Sequence, residues 1–318
     1  MAKRDVQNPS QKARQVLAVG AVLATLVIAG KTACASIPLP YDFQAPPPNL
    51  NVVAFYNEFS SANSFYTSNG TRVQDSRIQA DVSLVRLIHT CSPINGMPWG
   101  VQILAPYIAY LGSQQVFGAT QSANSGFAEP QLSAFIYPYS NPSEDSALAI
   151  SYFLSPPVGS YDAGYTLNAG SNNWVNNIEV LYSHMLFGTP KGQRLELDIA
   201  GDAFFYSANN DVGVGPFRPV LHTEPAEQVI VYLPYVIYPK TAGYVGLTFE
   251  QTFGGKQYLS YASQSIDTGN RNDATQIGID FGSFVAPTVA LEGQISTDVR
   301  VRGGPKSNAF LFQAIKVF

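Results

Sequence analysis

The residues able to carry chemistry in this chain are few. There are three histidines, His89, His184 and His222, and two cysteines, Cys34 and Cys91. Neither a His-x-x-x-His pair nor a cysteine pair supplies the spacing of a metal site, so no metal and no cofactor is expected. Only His184, next to Ser183, suggests a nucleophile and its base, as a lipid hydrolase would need. Adjacent residues of an extended strand point to opposite faces, so these two cannot bond each other, although a serine on the next strand could serve His184. The charged residues make a different case. Arg77, Asp81, Glu179, Arg194, Glu196, Asp198, Asp202, Glu250, Asp280, Glu292, Asp298 and Arg300 recur on alternate positions of amphipathic stretches and are expected to share one interior. Nine are acidic and three basic, with Glu129 a tenth acid if it belongs there rather than at a rim. Carboxylates lining an open lumen would favour cations or neutral solutes by their field. The same charges can instead be a closed, salt-bridged filling.

The elements that must position them are strands. In 287–302, PTVALEGQISTDVRVR, the residues Val289, Leu291, Gly293, Ile295, Thr297, Val299 and Val301 alternate with Ala290, Glu292, Gln294, Ser296, Asp298, Arg300 and Arg302. A period of two with one apolar face is a β-strand. This one exceeds the ~5–6 residues usual in globular sheets. It suits the ~9–11 residues of a strand crossing a bilayer, lipid on one side and water on the other. Arg194 to Phe204 repeats the pattern, and so does the stretch from Ser76, read as Ile78, Ala80, Val82 and Leu84 outward with Arg77, Gln79, Asp81 and Ser83 inward, slipping phase at Leu84-Val85.

Composition agrees. Charged residues are 13% of the chain, against ~25% in soluble domains. Tyr and Phe number 18 and 19, enough for aromatic girdles. The first residues are basic, an apolar run spans Val16 to Gly30, and Ala33-Cys34-Ala35 offers small residues for cleavage, so 1–35 reads as a signal peptide cut after Ala35. The leader carries Lys3, Arg4, Lys12, Arg14 and Lys31 against Asp5, so its removal takes the net charge from −4 to −8. An acidic exported chain argues against nucleic acid as a partner. Beyond the leader no apolar run is long enough for a spanning helix, so a membrane crossing requires a closed barrel.

Residues 36–50, with five prolines and no period, read as an extended periplasmic lead-in to a barrel over 51–318. Strands are expected near 51–59, 76–89, 99–111, 129–137, 147–154, 174–186, 194–204, 229–238, 243–253, 276–284, 287–302 and 307–318, the third bulged at Pro106. The fold class is therefore all-β: an antiparallel, up-and-down transmembrane β-barrel of about twelve strands, its loops alternately short and long.

Ordered pieces of the chain resemble a known family, the outer-membrane transporters called "MetA-pathway of phenol degradation". They are the Tyr-rich stretch from Phe55-Tyr56 to Asn69-Gly70, the Pro106-Tyr107 strand, Ser125-Gly126-Phe127 with Glu129-Pro130, and Pro157-x-Gly159-Ser160-Tyr161-Asp162 followed by Asn168-x-Gly170-x-Asn172-x-Trp174. Ala128-Glu129 stands where the family has Gly-Asp. The resemblance implies a barrel in the bacterial outer membrane and uptake of small, aromatic or hydrophobic solutes. Outer-membrane lipid, the solute and the barrel assembly machinery are the expected partners, with Phe318, the aromatic end of the last strand, as assembly signal. Against passive, non-enzymatic uptake stand a plugged structural or surface-interaction barrel, and a lipid hydrolase built on His184.

Overall fold

The computed structural model describes residues 38–213, 218–261, 263–271 and 273–318; the leader and its cleavage site near Ala35 lie outside the described residues. Twelve long strands follow one another: β1 Asn51–Tyr66, β2 Ile78–Ile94, β3 Met97–Tyr110, β4 Gln131–Asn141, β5 Ser146–Ser155, β6 Val175–Gly188, β7 Arg194–Tyr206, β8 Ala226–Tyr238, β9 Gly243–Phe253, β10 Asp273–Ala286, β11 Val289–Arg302 and β12 Gly304–Val317. Each pairs antiparallel with its neighbours in chain order. β12 then returns to β1, from Val52↔Val317 to Tyr66↔Gly304, and closes the sheet. Closure removes the edges that a bilayer would leave unpaired.

At one end the strands are joined by turns of two to five residues. Two have two residues, and in one of them Asn95-Gly96 are both at positive φ, the pair favoured in such hairpins. At the other end, apart from the single Gly303 between β11 and β12, the connections are 67–77, 111–130, 156–174, 207–225 and 254–272. Outward residues of the wall are apolar and exposed, Leu247 at 61% and Ile295 at 58% among them. Among the described residues no side chain covers them, which is the condition of a wall in contact with lipid.

The alternation is real, but two stretches face the other way from the sequence expectation. In β2, Ile78, Ala80 and Val82 are buried inside, and Asp81 stands on the outer face, held by Asn57 Nδ2 at 2.8 Å. Arg77, just before β2, is exposed and follows the same outward phase. The reason lies in the interior. At the long-loop end it is filled by apolar groups, Ala128 and Ala169 against Ala80, Val82 and Ile108, so the apolar face of β2 turns inward. A period of two fixes the faces and not which one meets lipid. In β11 a bulge intervenes: Arg300 pairs with Thr275, but Gln276 pairs with Asp298, leaving Val299 unpaired. The extra residue switches the phase, so Val301 is buried and Arg300 and Arg302 are exposed. No register shift marks Leu84-Val85 or bends β3 at Pro106. Pro106 instead lies where the pairing of β3 with β4 stops, at Leu104↔Gln131, and its carbonyl accepts the N–H of Ala128 at 3.0 Å.

Candidate functional site

The lumen is built from three layers: a floor at the short-turn end, a wall of polar strand residues, and a roof of folded loops. The floor is the segment expected to run as a free lead-in. Residues 38–50 instead enter the barrel. Pro40–Asp42 form one 3-10 turn, started by Pro40 and tied by the Leu39 N–H to Asp42 Oδ2 at 3.1 Å. Leu39 and Phe43 are 0% and 1% exposed, packed on Tyr56, Tyr137, Leu181, Ile230, Tyr232 and Leu311 from around the wall. Burying two such side chains contributes roughly 2 kcal/mol each, which holds this proline-rich segment inside the barrel.

Polar groups of the wall then fix the segment's backbone. Tyr232 donates to the Pro38 carbonyl at 2.7 Å and Tyr137 to that of Asp42 at 3.1 Å. Gln44 Nε2 donates to Ser183 Oγ at 3.1 Å, and Tyr41 to the Ala242 carbonyl at 2.8 Å. The central contact is ionic: Arg86 Nη1 lies 2.8 Å from Asp42 Oδ1, with both side chains about nine-tenths buried. The same guanidinium donates to Gln102 Oε1 at 2.6 Å and Tyr56 at 3.0 Å. Neither Asp42 nor Arg86 was singled out in the sequence. The available signals were Leu39, Tyr41 and Phe43 alternating between prolines, and an arginine inside the apolar run of β2.

Of the sequence-predicted charges, Glu179, Glu196, Asp198, Asp202, Glu250, Asp280, Glu292 and Asp298 are buried on the inner face. Arg194 sits at the short-turn mouth, paired with Glu196 and with Asp145. Glu292 accepts from Tyr244 at 2.7 Å, Asp280 from Thr248 at 2.6 Å, Glu250 from Gln228 at 2.8 Å and Asp202 from Asn177 at 2.8 Å. The backbone N–H of Ser307 donates to Asp298 at 2.8 Å. Yet among the described residues Glu179, Asp202, Asp280 and Glu292 each keep one buried oxygen without a close partner, and Asp198, beside Ser183, keeps both. Glu179 stands directly opposite Asp202 in the β6–β7 register. Like charges so placed repel, and a packed core of paired charges would not contain them.

The roof joins loops 111–130 and 156–174. Ala123-Asn124 pairs parallel with Leu167-Asn168. Gly159 and Gly170 touch backbone to backbone: a Cβ on Gly159 would stand 2.9 Å from the Gly170 Cα and from the Glu129 nitrogen. Glu129 does not line the lumen. It is 2% exposed and accepts the N–H groups of Ser171 at 2.7 Å and Asn172 at 3.0 Å. Burial pushes its carboxyl above the usual glutamate range, and the two N–H donors oppose that shift only in part.

The model of the family described as "MetA-pathway of phenol degradation" matches residues 62–314. The chain belongs to that family. The fold is shared with solved outer-membrane barrels. An outer-membrane channel from Pseudomonas putida F1 is 21% identical at a TM-score of 0.76, covering 88% of this chain and 100% of its own. The transport unit of the autotransporter AIDA-I from Escherichia coli is 8% identical at 0.54, covering 93% and 98%. A mutant of the monoaromatic hydrocarbon channel TodX is 7% identical at 0.50, covering 88% and 92%. No curated protein matches the chain. As a barrel of the bacterial outer membrane, this family member has its short turns toward the periplasm and its long loops outside.

Within that frame the stretches that carry the family resemblance acquire places. Gly126-Phe127 pairs with Tyr107-Ile108 at the top of β3, and the runs Gly159–Asp162 and Asn168–Trp174 make the roof. The serine–histidine arrangement also resolves. Ser183 faces inward and His184 outward, as strand geometry requires, and Ser146 of β5 bonds His184 Nδ1 at 2.6 Å. Ser146 is 3% exposed, and among the described residues no carboxylate bonds the imidazole. A catalytic histidine is ordinarily oriented by such a third group, and its serine must be reached by substrate.

Proposed function

We propose that this protein is an outer-membrane channel admitting small solutes, aromatic or hydrophobic ones among them, by passive diffusion through the lumen. The observation that carries the reading is the wall: among the described residues five buried carboxylates keep unpartnered oxygens, facing an interior that the segment 38–50 enters. Buried polar groups of native proteins are hydrogen-bonded or hydrated, so these oxygens support a hydrated zone in the middle of the lumen, between the apolar floor and the apolar roof. Family membership and the channel named among the similar structures support the same reading. Aromatic rings at the floor, Tyr41 against Tyr244 at 5.3 Å and against Phe284 at 5.1 Å, give a passing aromatic solute surfaces on which to stack. The buried serine beside His184 favours a channel over an enzyme.

A plugged barrel is the second reading, and the buried Leu39 and Phe43 are what favour it. In the channel reading that segment is a gate. The test is conductance of the purified protein in planar bilayers. The protein should conduct in brief openings, with cations preferred over anions, and a variant lacking residues 36–49 should conduct steadily. Glu179→Gln with Asp202→Asn should reduce the cation preference, read from the reversal potential in a salt gradient. Absence of any conductance or solute flux in both full-length and deleted proteins would overturn the channel.

A further inference from the structure

The outer wall carries an arrangement that transport does not use. From residue 72 onward the chain has thirteen lysines and arginines, and Arg86, Arg194, Arg218 and Lys256 are ion-paired. Six others, Arg72, Arg77, Arg271, Arg300, Arg302 and Lys306, gather at the outer end of five consecutive strands, β10, β11, β12, β1 and β2. Five are exposed, Lys306 is half-buried, and none makes an ion pair among the described residues. Asp75, Asp273 and Asp267 are the acids near them: Asp273 is engaged by the Gly254 N–H at 3.0 Å, and Asp267, paired with Lys256, also feels Arg271.

Their grouping is a product of the fold. The bulge at Val299 turns Arg300 and Arg302 out of the lumen. Arg302 lies beside Gly70, within 3.9 Å of where its Cβ would be, and the Gly303 N–H ties β11 to the Thr67 carbonyl at 3.0 Å. The loop 67–77 thereby brings Arg72 and Arg77 alongside. These two arginines line a polar pocket of about 380 Å³ together with Asn63, Gln74, Asp75, Ser76 and Gln115, two cations against one acid.

Below it, β8 to β12 and β1 carry a concave apolar groove of about 960 Å³. Phe59, Phe249, Ile277, Ile279, Ile295 and Phe310 line it. One sector of the outer wall thus presents six cations against three acids at the extracellular rim and a recessed apolar surface beneath them.

We infer that this sector docks the phosphorylated, multiply acylated glycolipid of the outer leaflet, the lipid A part of lipopolysaccharide. Its phosphates meet the arginines, which bind phosphate in bidentate fashion, and its acyl chains lie in the groove. Charge complementarity above and apolar complementarity below select this molecule over a plain phospholipid or a free anion. Docking is independent of whether the lumen conducts.

The experiment titrates the full mature protein in detergent with bisphosphorylated lipid A, with dephosphorylated lipid A and with inorganic phosphate, reading bound lipid by native mass spectrometry. Bisphosphorylated lipid A should bind at least about tenfold tighter than the dephosphorylated form, because each cation near an anionic lipid is worth about fivefold. Phosphate alone should not displace it. The variant Arg72→Gln/Arg77→Gln/Arg300→Gln/Arg302→Gln should lose that preference, whereas Lys191→Gln/Lys240→Gln, at the periplasmic turns, should keep it. Equal binding of the two lipids by the wild type would overturn the inference, even if the fourfold variant fails to fold. So would full displacement by phosphate, or an unchanged preference in a folded fourfold variant.

Discussion

Asp42→Asn is the substitution that should open the lumen. In the closed state Asp42 is 2.8 Å from Arg86, and their side chains are 11% and 10% exposed. The amide removes the counter-charge but leaves the guanidinium in place, supported by Gln102 and the Tyr56 hydroxyl. Stripping one partner from a buried pair costs about 3–5 kcal/mol, because the remaining charge is left uncompensated. Once the segment has left, water reaches Arg86, so the penalty falls on the closed state alone. At the lower bound, about 3 kcal/mol raises the ratio of open to closed by roughly a hundredfold. Leu39, Phe43 and the tyrosine hydrogen bonds still favour closure, and the ordering of the segment opposes it. The absolute balance therefore depends on large cancelling contributions, whereas the ratio between variant and wild type does not. The assay is open probability in single-channel recordings. Arg86→Gln should also raise it, and Asp42→Asn/Arg86→Gln should raise it less than Asp42→Asn does, since no buried charge is then orphaned. Open probabilities of both single variants within about twofold of wild type would refute the gate; that bound lies far below the expected hundredfold.

Two further outcomes follow from the ends of the molecule. Burial raises the Glu129 carboxyl, so the ordered roof holds this proton more tightly than loosened loops do. The stability it contributes is full below the usual glutamate range, near about pH 4, and is lost as pH rises through the raised value. Proteolysis of the loop 156–174 should therefore quicken across that rise, and the step should vanish in Glu129→Gln; a step that persists would place its origin elsewhere. Deleting Phe318 should lower the yield of heat-modifiable barrel in the outer membrane while leaving export intact. The residue is 66% exposed and exchanges backbone hydrogen bonds with Asn51, so barrels that do fold should lose only about 1–2 kcal/mol. Normal assembly of the truncated protein would remove Phe318 as a signal.

The sequence by itself determined the strands. A period of two is a local property, written residue by residue in Leu195 to Ala203 and Val289 to Ile295, and neither lipid nor neighbours are needed to detect it. The even strand count and the alternation of short and long connections were legible for the same reason, as were the inward carboxylates Glu179, Asp198, Asp202, Asp280 and Glu292. Which face meets lipid is not local. Ile78 and Ala80 turn inward because the loops 111–130 and 156–174 fill the lumen beside them, and those loops are far away in sequence. Arg300 leaves the lumen because of one unpaired residue, Val299, and a bulge has no signature in an unbroken alternation. The floor was hidden most completely. Leu39 and Phe43 lie among prolines without a period, and their burial depends on tyrosines and leucines from strands all round the barrel. Only closure of the sheet brings those side chains together, so only the tertiary structure decides that a proline-rich lead-in becomes the floor of the lumen.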